Sequence, residues 1–176
     1  MEKEESMTTS QRRIKDWMRM FGQDTPNHPT LPDDKILELR CRLLMEEALE
    51  FCDAAGFKVT VTPAWGDIKV LVDISKSRGV QPDLDEMVDA LADIKYVQEG
   101  AACALGVDME PVDDEVHSSN MSKMWTKDEL DQMPPDTVVL AVGVNQFVVR
   151  RNDGKVVKSP SFRPPDIQRV LESQSV

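Results

Sequence analysis

Two long stretches with the periodicity of an amphipathic helix constrain the fold of this chain more than any other feature. The first covers residues 34 to 55, and Gly56 follows it as a candidate C-terminal cap. The second covers residues 84 to 105, between the candidate N-cap Asp83 and Gly106. Two such helices in a chain of 176 residues predict a mainly α protein with one helical core.

The first helical stretch contains three glutamates in the segment "LLMEEALEFC", residues 43 to 52. At about 100° per residue, Glu47 and Glu50 fall on an apolar flank of the helix, beside Leu43, whereas Glu46 lies farther round. The spacing of three between Glu47 and Glu50 makes their side chains neighbours. This helix therefore predicts a pair of carboxylates on a face that otherwise resembles a buried one.

The second helical stretch repeats this arrangement, since Glu86 and Asp89 are also three residues apart and Asp93 follows one turn later. Like charges this close destabilise a helix, and neither pair has a basic residue three or four positions away. Hard divalent ions such as Mg²⁺ and Mn²⁺ prefer oxygen ligands and suit such a set of carboxylates.

Two interpretations of these acids stay open on spacing alone. Acidic runs on helices are most often solvated faces, yet two matching pairs on two helices favour a metal site. A ferritin-like di-iron site is disfavoured, because it needs a Glu-x-x-His motif that neither His28 nor His117 supplies.

The remaining helical patterns complete a four-helix core. Residues 9 to 21 and residues 112 to 125 are each expected to form a shorter helix. The chain is expected to be a single domain over residues 1–176, in which residues 1–8 are flexible.

Two segments have strand character instead. Residues 57 to 74 are rich in β-branched side chains and predict two short strands around "TPAWG". The apolar stretch 137–149 predicts another strand, and Asp153-Gly154 predicts the two-residue turn of a hairpin. Residues 137–176 are therefore expected to form a β-hairpin and tail appended to the helical core.

Composition excludes several classes of function. The net charge of −11 disfavours stable binding to nucleic acid, which needs a basic face. No apolar run approaches the roughly 20 residues that span a bilayer, and the acidic N-terminus does not resemble a secretory signal. An odd number of cysteines, three, argues against a disulfide framework and favours a reducing cytoplasm.

Several motifs together resemble a known superfamily. "EEALE" at 46–50 and "EMVD" at 86–89 match the EExxE…ExxD signature of the MazG-like all-α nucleoside triphosphate pyrophosphohydrolases. "EVHSSNMSKMW" and the closing "DGKVVKSPSFRPPD" resemble the phosphoribosyl-ATP-pyrophosphohydrolase-like branch, which includes the phage enzymes named MazZ that act on dGTP. The resemblance extends from about residue 9 to about residue 167.

This resemblance implies cleavage of a nucleoside triphosphate between its α and β phosphates, with two or more Mg²⁺ or Mn²⁺ ions per site. Asn120 and Lys123 would contact the triphosphate. Glu46 would hold a further metal or act as base on the attacking water, in a catalytic group with Glu47 and Glu50. Members of the family assemble, so a homodimer or homotetramer is expected. The implied metal ligands are Glu46, Glu47, Glu50, Glu86 and Asp89.

The substrate and some residue roles stay open at this stage. Closeness to the MazZ enzymes favours dGTP, whereas a house-cleaning enzyme would act on dUTP or damaged nucleotides. Phosphoribosyl-ATP is less favoured, because that enzyme is typically shorter and lacks the C-terminal hairpin. A non-catalytic acidic module that binds metal or a partner is the alternative of another class. Asp93 is expected to support the metal ligands or to be solvated, and Trp65 and Trp125 are expected to be packing residues.

Overall fold

The structure, a computed structural model, describes residues 7–62 and 71–175. The chain divides into two compact units, Met1–Val107 and Asp108–Val176, and each is described by itself. Two sequence expectations fall outside the described residues: the flexibility of residues 1–6, and the turn around "TPAWG" with its Trp65. The single-domain organisation stays a prediction.

Three helices form the frame of the first unit: α1 (Thr9–Met20), α2 (Asp34–Ala54) and α3 (Leu84–Ala104). The side chains of Asp33 and Asp83 accept hydrogen bonds from backbone N–H groups of the first turns of α2 and α3. These caps satisfy donors that a helix start leaves unpaired, so both long helices begin where the sequence predicts.

A β-hairpin connects the two long helices and brings their ends together. Its strands β1 (Phe57–Thr62) and β2 (Leu71–Lys76) pair antiparallel, which confirms the strands predicted within residues 57 to 74. After the hairpin, the backbone N–H of Asp83 donates to the carbonyl oxygen of Ala54 at 2.9 Å. The start of α3 is therefore fixed beside the end of α2, and the two helices run antiparallel as neighbours.

The buried core of the first unit lies between α1 and α3. Ile14 and Met18 of α1 pack with Cys103 and Ala104 of α3, and Ile36 of α2 covers the cluster. These side chains follow the helical periodicity of α1 and α3. Because this face of α3 is buried against α1, a different face of α3 is left for contact with α2.

The second unit contains shorter elements around one buried tryptophan. Trp125 is 2% exposed, its Nε1–H donates to the Val157 carbonyl at 3.0 Å, and its backbone bridges to Phe147. This confirms the packing role expected of Trp125. Its elements are α4 (Met109–Met121), a 3-10 helix (Lys127–Gln132), β3 (Thr137–Gly143), β4 (Gln146–Arg151) and α5 (Ile167–Gln174).

The boundaries of α4 differ from the predicted helix at 112 to 125. Asp108 caps the helix by accepting from the Glu110 N–H at 3.1 Å, so α4 starts one turn earlier. At the other end, Ser122 is the C-cap, and the chain leaves the helix before Trp125 joins Phe147. The tertiary pairing of Trp125 thus ends α4 before the helical pattern does.

The C-terminal strands reverse at two places, of which the sequence predicted one. Residues 137–149 form two strands rather than one, with the reversal at Val144 and Asn145. Asn145 has φ +54°, a left-handed conformation that asparagine tolerates. Asp153 and Gly154 also reverse the chain, as predicted: the Arg151 N–H donates to the Lys155 carbonyl at 2.9 Å, and Arg150 forms an isolated antiparallel bridge with Val156.

The prediction of a mainly α chain with short hairpins is confirmed, with five α-helices and two two-stranded sheets in the ranges 7–62 and 71–175. None of these helices has the length and apolar character needed to cross a membrane.

Gly106, two residues beyond the last residue of α3, should be highly sensitive to substitution. Its φ is +67°, and an added Cβ would collide with the His28 carbonyl. We expect Gly106→Ala to lower the free energy of unfolding by about 2 kcal/mol or more in urea denaturation. Gly79→Ala is the matched control, because Gly79 has φ +77° with no described atom near its Cβ position, and we expect a loss of about 1 kcal/mol there. Equal losses would contradict the close approach at His28.

Candidate active site

The antiparallel contact of α2 and α3 brings the acids of the two helices to matching levels. The helices meet at the bond between Ala54 and Asp83. With a rise of 1.5 Å per residue, Glu50 and Glu86 each lie within ~6 Å of this end along the axes, and Glu47 and Asp89 lie ~8–11 Å from it. The two acidic pairs predicted from sequence therefore lie opposite each other.

Glu50 and Glu86 line the same surface pocket, which has a volume of about 450 Å³. Asp53, one turn after Glu50, completes its acidic lining. Sequence analysis did not single out Asp53, although its spacing of three from Glu50 is the same signal that identified the other acids.

The electrostatics of Glu47 link the two helices. The pKa of its carboxyl is raised above the ordinary value of 4.5, first by partial burial and then by the charges of Glu50, Asp93, Glu46 and Asp89. Two of these four neighbours belong to α3, so Glu47 interacts with carboxylates across the helix interface. Asp93 is thereby close to the cluster, and its role in supporting the metal ligands stays a prediction.

No basic side chain neutralises this acidic face in the described part of the chain. Arg42, four residues before Glu46, pairs with Glu38 at 2.8 Å. Within residues 7–62 and 71–175, none of the predicted metal ligands forms an ion pair, and no group of three or more His, Cys, Asp or Glu side chains is arranged so that it could hold a metal ion. The site is an open carboxylate face.

A second pocket, of about 390 Å³, opens beside Glu47 and Asp93 and extends between α1, α2 and α3; we call it the inner pocket. Trp17 and Tyr96 contribute aromatic rings, whose centroids lie 5.9 Å apart in an edge-to-face arrangement. Gln23 contributes a polar group, as does Arg40. The inner pocket thus combines aromatic surface, hydrogen-bond donors and an acidic border.

Sequence analysis missed the inner pocket. Trp17 and Phe21, four residues apart on α1, stack with ring centroids 4.5 Å apart, and this aromatic spacing was the available signal. A slightly larger pocket of about 460 Å³, bordered by Pro26 and Pro32, holds none of the predicted site residues. Because the predicted site residues lie on the acidic face, the two pockets beside it are better candidates for the substrate site.

The predicted phosphate contacts belong to the second unit. The Lys123 ammonium donates to the Asn120 Oδ1 at 2.6 Å, so the two side chains that the sequence grouped together are bonded to each other. Asn120 lies in the last turn of α4, and Lys123 directly follows its C-cap, Ser122. His117 of the same helix is exposed.

With this geometry described, comparison with protein-family models defines the class. The family model described as phosphoribosyl-ATP pyrophosphohydrolase matches residues 14–120, which include both acidic helices. The protein is therefore an enzyme of the MazG-like all-α nucleotide pyrophosphohydrolase superfamily, a hydrolase of phosphorus-containing anhydrides. Within that class, the chain belongs to the phosphoribosyl-ATP pyrophosphohydrolase family. No curated protein matches the chain.

This membership confirms the resemblance at the level of the superfamily and decides against a non-catalytic acidic module. It also implies a nucleotide as substrate. The matched residues end at Asn120, so β3, β4 and α5 lie beyond the family match.

The raised pKa of Glu47 gives a test in the absence of metal. Well below pH 4.5 the Glu47 carboxyl is neutral in both the folded and the unfolded state. As pH rises from 4.5 through the raised folded pKa, the unfolded state loses its proton first, so the free energy of unfolding falls and then levels off above the folded pKa. We expect Glu47→Gln to stabilise the chelator-treated protein by about 0.5 kcal/mol at pH 7 and to have no effect near pH 4, measured by urea denaturation.

Glu38→Gln is the matched control on α2, because Glu38 pairs with Arg42. That variant should be neutral or slightly destabilising at pH 7. Loss of stability in Glu47→Gln at neutral pH would contradict the crowding of carboxylates at this interface.

Proposed function

We propose that the protein is a metal-dependent nucleoside triphosphate pyrophosphohydrolase. It cleaves its substrate between the α and β phosphates and yields a nucleoside monophosphate and pyrophosphate, with dGTP as the favoured substrate. The observation that supports this proposal best is the carboxylate face of α2 and α3, where Glu47 and Glu50 oppose Glu86 and Asp89 without basic partners among the described residues.

The donor set of this face fits Mg²⁺ or Mn²⁺. Carboxylate oxygens are the ligands these hard ions prefer, and like charges held together on two rigid helices gain from a shared cation. Two or more ions would be held by Glu47, Glu50, Glu86 and Asp89, with Glu46 as a further ligand. When bound, the metal neutralises phosphate charge and lowers the pKa of water.

In the proposed reaction, a carboxylate of this face also accepts the proton of the attacking water. Glu46 is exposed and beside Glu47, so it is accessible either to accept that proton as a general base or to hold a further ion. Glu47 and Glu50 complete the catalytic group. Water adds to one of the two phosphorus atoms of the α–β anhydride, the bridging P–O bond breaks, and the nucleoside monophosphate and pyrophosphate separate.

Asn120 and Lys123 are proposed to bind the triphosphate. Lys123 provides a point charge for a phosphate oxygen, and the Asn120 amide nitrogen provides a neutral donor, since its oxygen already accepts from Lys123.

Two other substrates are alternatives to dGTP. Phosphoribosyl-ATP is named by the matched family, and dUTP or a damaged nucleotide would suit a house-cleaning enzyme. The C-terminal hairpin of β3 and β4 lies outside the matched residues. It disfavours the first of these, because the resemblance described above implies that phosphoribosyl-ATP enzymes are typically shorter and lack this hairpin.

The test is a substrate panel with resolved products. Purified protein with Mg²⁺ or Mn²⁺ is incubated with each NTP, each dNTP and phosphoribosyl-ATP. We expect pyrophosphate and one monophosphate, fastest from dGTP, and loss of activity on chelation. Orthophosphate with a diphosphate would contradict the assigned bond.

Variants of the acidic face extend this test. Glu50→Gln and Asp89→Asn should each lower kcat/KM at least a hundredfold, because each removes a charge needed to hold the cation. Glu38→Gln is the control on α2 and should retain activity, since Glu38 pairs with Arg42 away from the cluster. Full metal-dependent activity in Glu50→Gln would overturn the proposal.

We further propose a homodimer or homotetramer that acts in the cytoplasm. Leu84, Val88 and Leu91 form an apolar stripe along α3 and are 72%, 57% and 51% exposed, and a second copy of the chain would cover it. The three free cysteines, Cys41, Cys52 and Cys103, suit a reducing compartment. Light scattering should give two or four times 19.8 kDa, and Val88→Lys should reduce that mass. A monomeric wild-type protein would contradict the assembly.

A further inference from the structure

The inner pocket contains a pair of hydrogen-bonding side chains that the proposed hydrolysis does not use. The Arg40 Nη2 of α2 donates to the Gln23 Oε1, in the loop after α1, at 2.8 Å. Both side chains line the inner pocket, and so do Glu47 and Asp93. The pair is thus part of the same cavity that the acidic face borders.

The Arg40 guanidinium is held in place, but not all of its N–H donors are hydrogen-bonded. Its Nε is buried and has no hydrogen-bond partner among the described residues. Gly100 of α3 leaves room for the group, because an added Cβ there would lie 3.4 Å from Arg40 Nη1. A buried, unpaired donor costs free energy unless a ligand satisfies it.

The pair presents donors rather than acceptors to a ligand. Arginine has no acceptor, and Gln23 already uses its amide oxygen to accept from Arg40. The Nε–H of Arg40 and the Nε2–H₂ group of Gln23 are therefore the complementary groups for a ligand with two adjacent acceptors.

We propose that the Arg40–Gln23 pair selects guanine by donating to its O6 and N7 atoms in the inner pocket; this rests on the proposed nucleotide pyrophosphohydrolase function. Guanine presents O6 and N7 as adjacent acceptors, whereas adenine presents an amino donor beside N7. Cytosine presents an amino donor, and uracil and thymine present the single acceptor O4 at that edge.

The remaining lining of the inner pocket suits the same ligand. Trp17 and Tyr96 are 39% and 41% exposed, so their rings are accessible for stacking on a purine. Glu47 and Asp93 border the cavity, so a base in the inner pocket directs its phosphates toward the acidic face. A volume of about 390 Å³ is within the range of pockets for small ligands.

The test measures binding separately from catalysis. Calorimetry gives the Kd values of the full-length protein for non-hydrolysable α,β-methylene analogues of dGTP, 7-deaza-dGTP, dATP and dUTP, with Mg²⁺ present. We expect the dGTP analogue to bind at least tenfold more tightly than the other three, since 7-deaza-dGTP lacks N7 and the others lack the acceptor pair.

Two variants assign the preference to the pair. Gln23→Glu keeps the side-chain shape and strengthens the contact with Arg40, but it removes the Nε2 donor, so the preference for dGTP over dATP should fall about tenfold. Arg40→Lys removes the Nε donor and should have a similar effect. Arg42→Lys, on the same helix and paired with Glu38, is the control and should leave the preference unchanged.

The outcomes separate this inference from the proposed function. Absence of a preference for the dGTP analogue in the wild type, or an unchanged preference in both Gln23→Glu and Arg40→Lys, would overturn the guanine assignment. Pyrophosphate release could still stand in that case. Guanine-selective binding that depends on the pair would support the assignment even if no triphosphate were cleaved, and only the proposed reaction would then fail.

Discussion

Electrostatic repulsion between carboxylates on two antiparallel helices is the constraint on which the rest of this structure depends. The hydrogen bond from Asp83 to the Ala54 carbonyl fixes the start of α3 beside the end of α2. That registration forces Glu47 and Glu50 to face acids of α3, although like charges in a partly buried position are unfavourable. Such an arrangement, without basic partners among the described residues, costs stability, and unfavourable arrangements of this kind are typical of functional sites.

The inner pocket opens beside this acidic face. Its border at Glu47 and Asp93 is charged, whereas Trp17 and Tyr96 line it with aromatic surface. A nucleotide has the same polarity, with a charged phosphate chain at one end and a flat base at the other. The first unit therefore presents, on three helices, surfaces suited to both ends of one substrate. The helices α1 and α3 share a buried core, so the pocket walls are held by packing.

Much of this arrangement could be predicted from sequence, because it depends on local periodicity. Helical spacing locates Glu47 and Glu50 on one face and Glu86 and Asp89 on another, and the predicted strand pair between the helices returns the chain to the end of α2. The partnership of Arg40 with Gln23 could not be predicted, since it joins a helix to a loop through tertiary packing. The reversal at Val144 and Asn145 was also missed, because an Asp-Gly pair is the stronger local turn signal.

The central claim is that divalent cations bind between α2 and α3. Crystals of the full chain soaked in Mn²⁺ and measured at the manganese absorption edge test it directly, because anomalous peaks locate the ions without reference to activity. The account predicts peaks within ligand distance of carboxylate oxygens from both helices, Glu47 or Glu50 on one side and Glu86 or Asp89 on the other. Manganese found only at other acidic residues, with none between these helices, would contradict it.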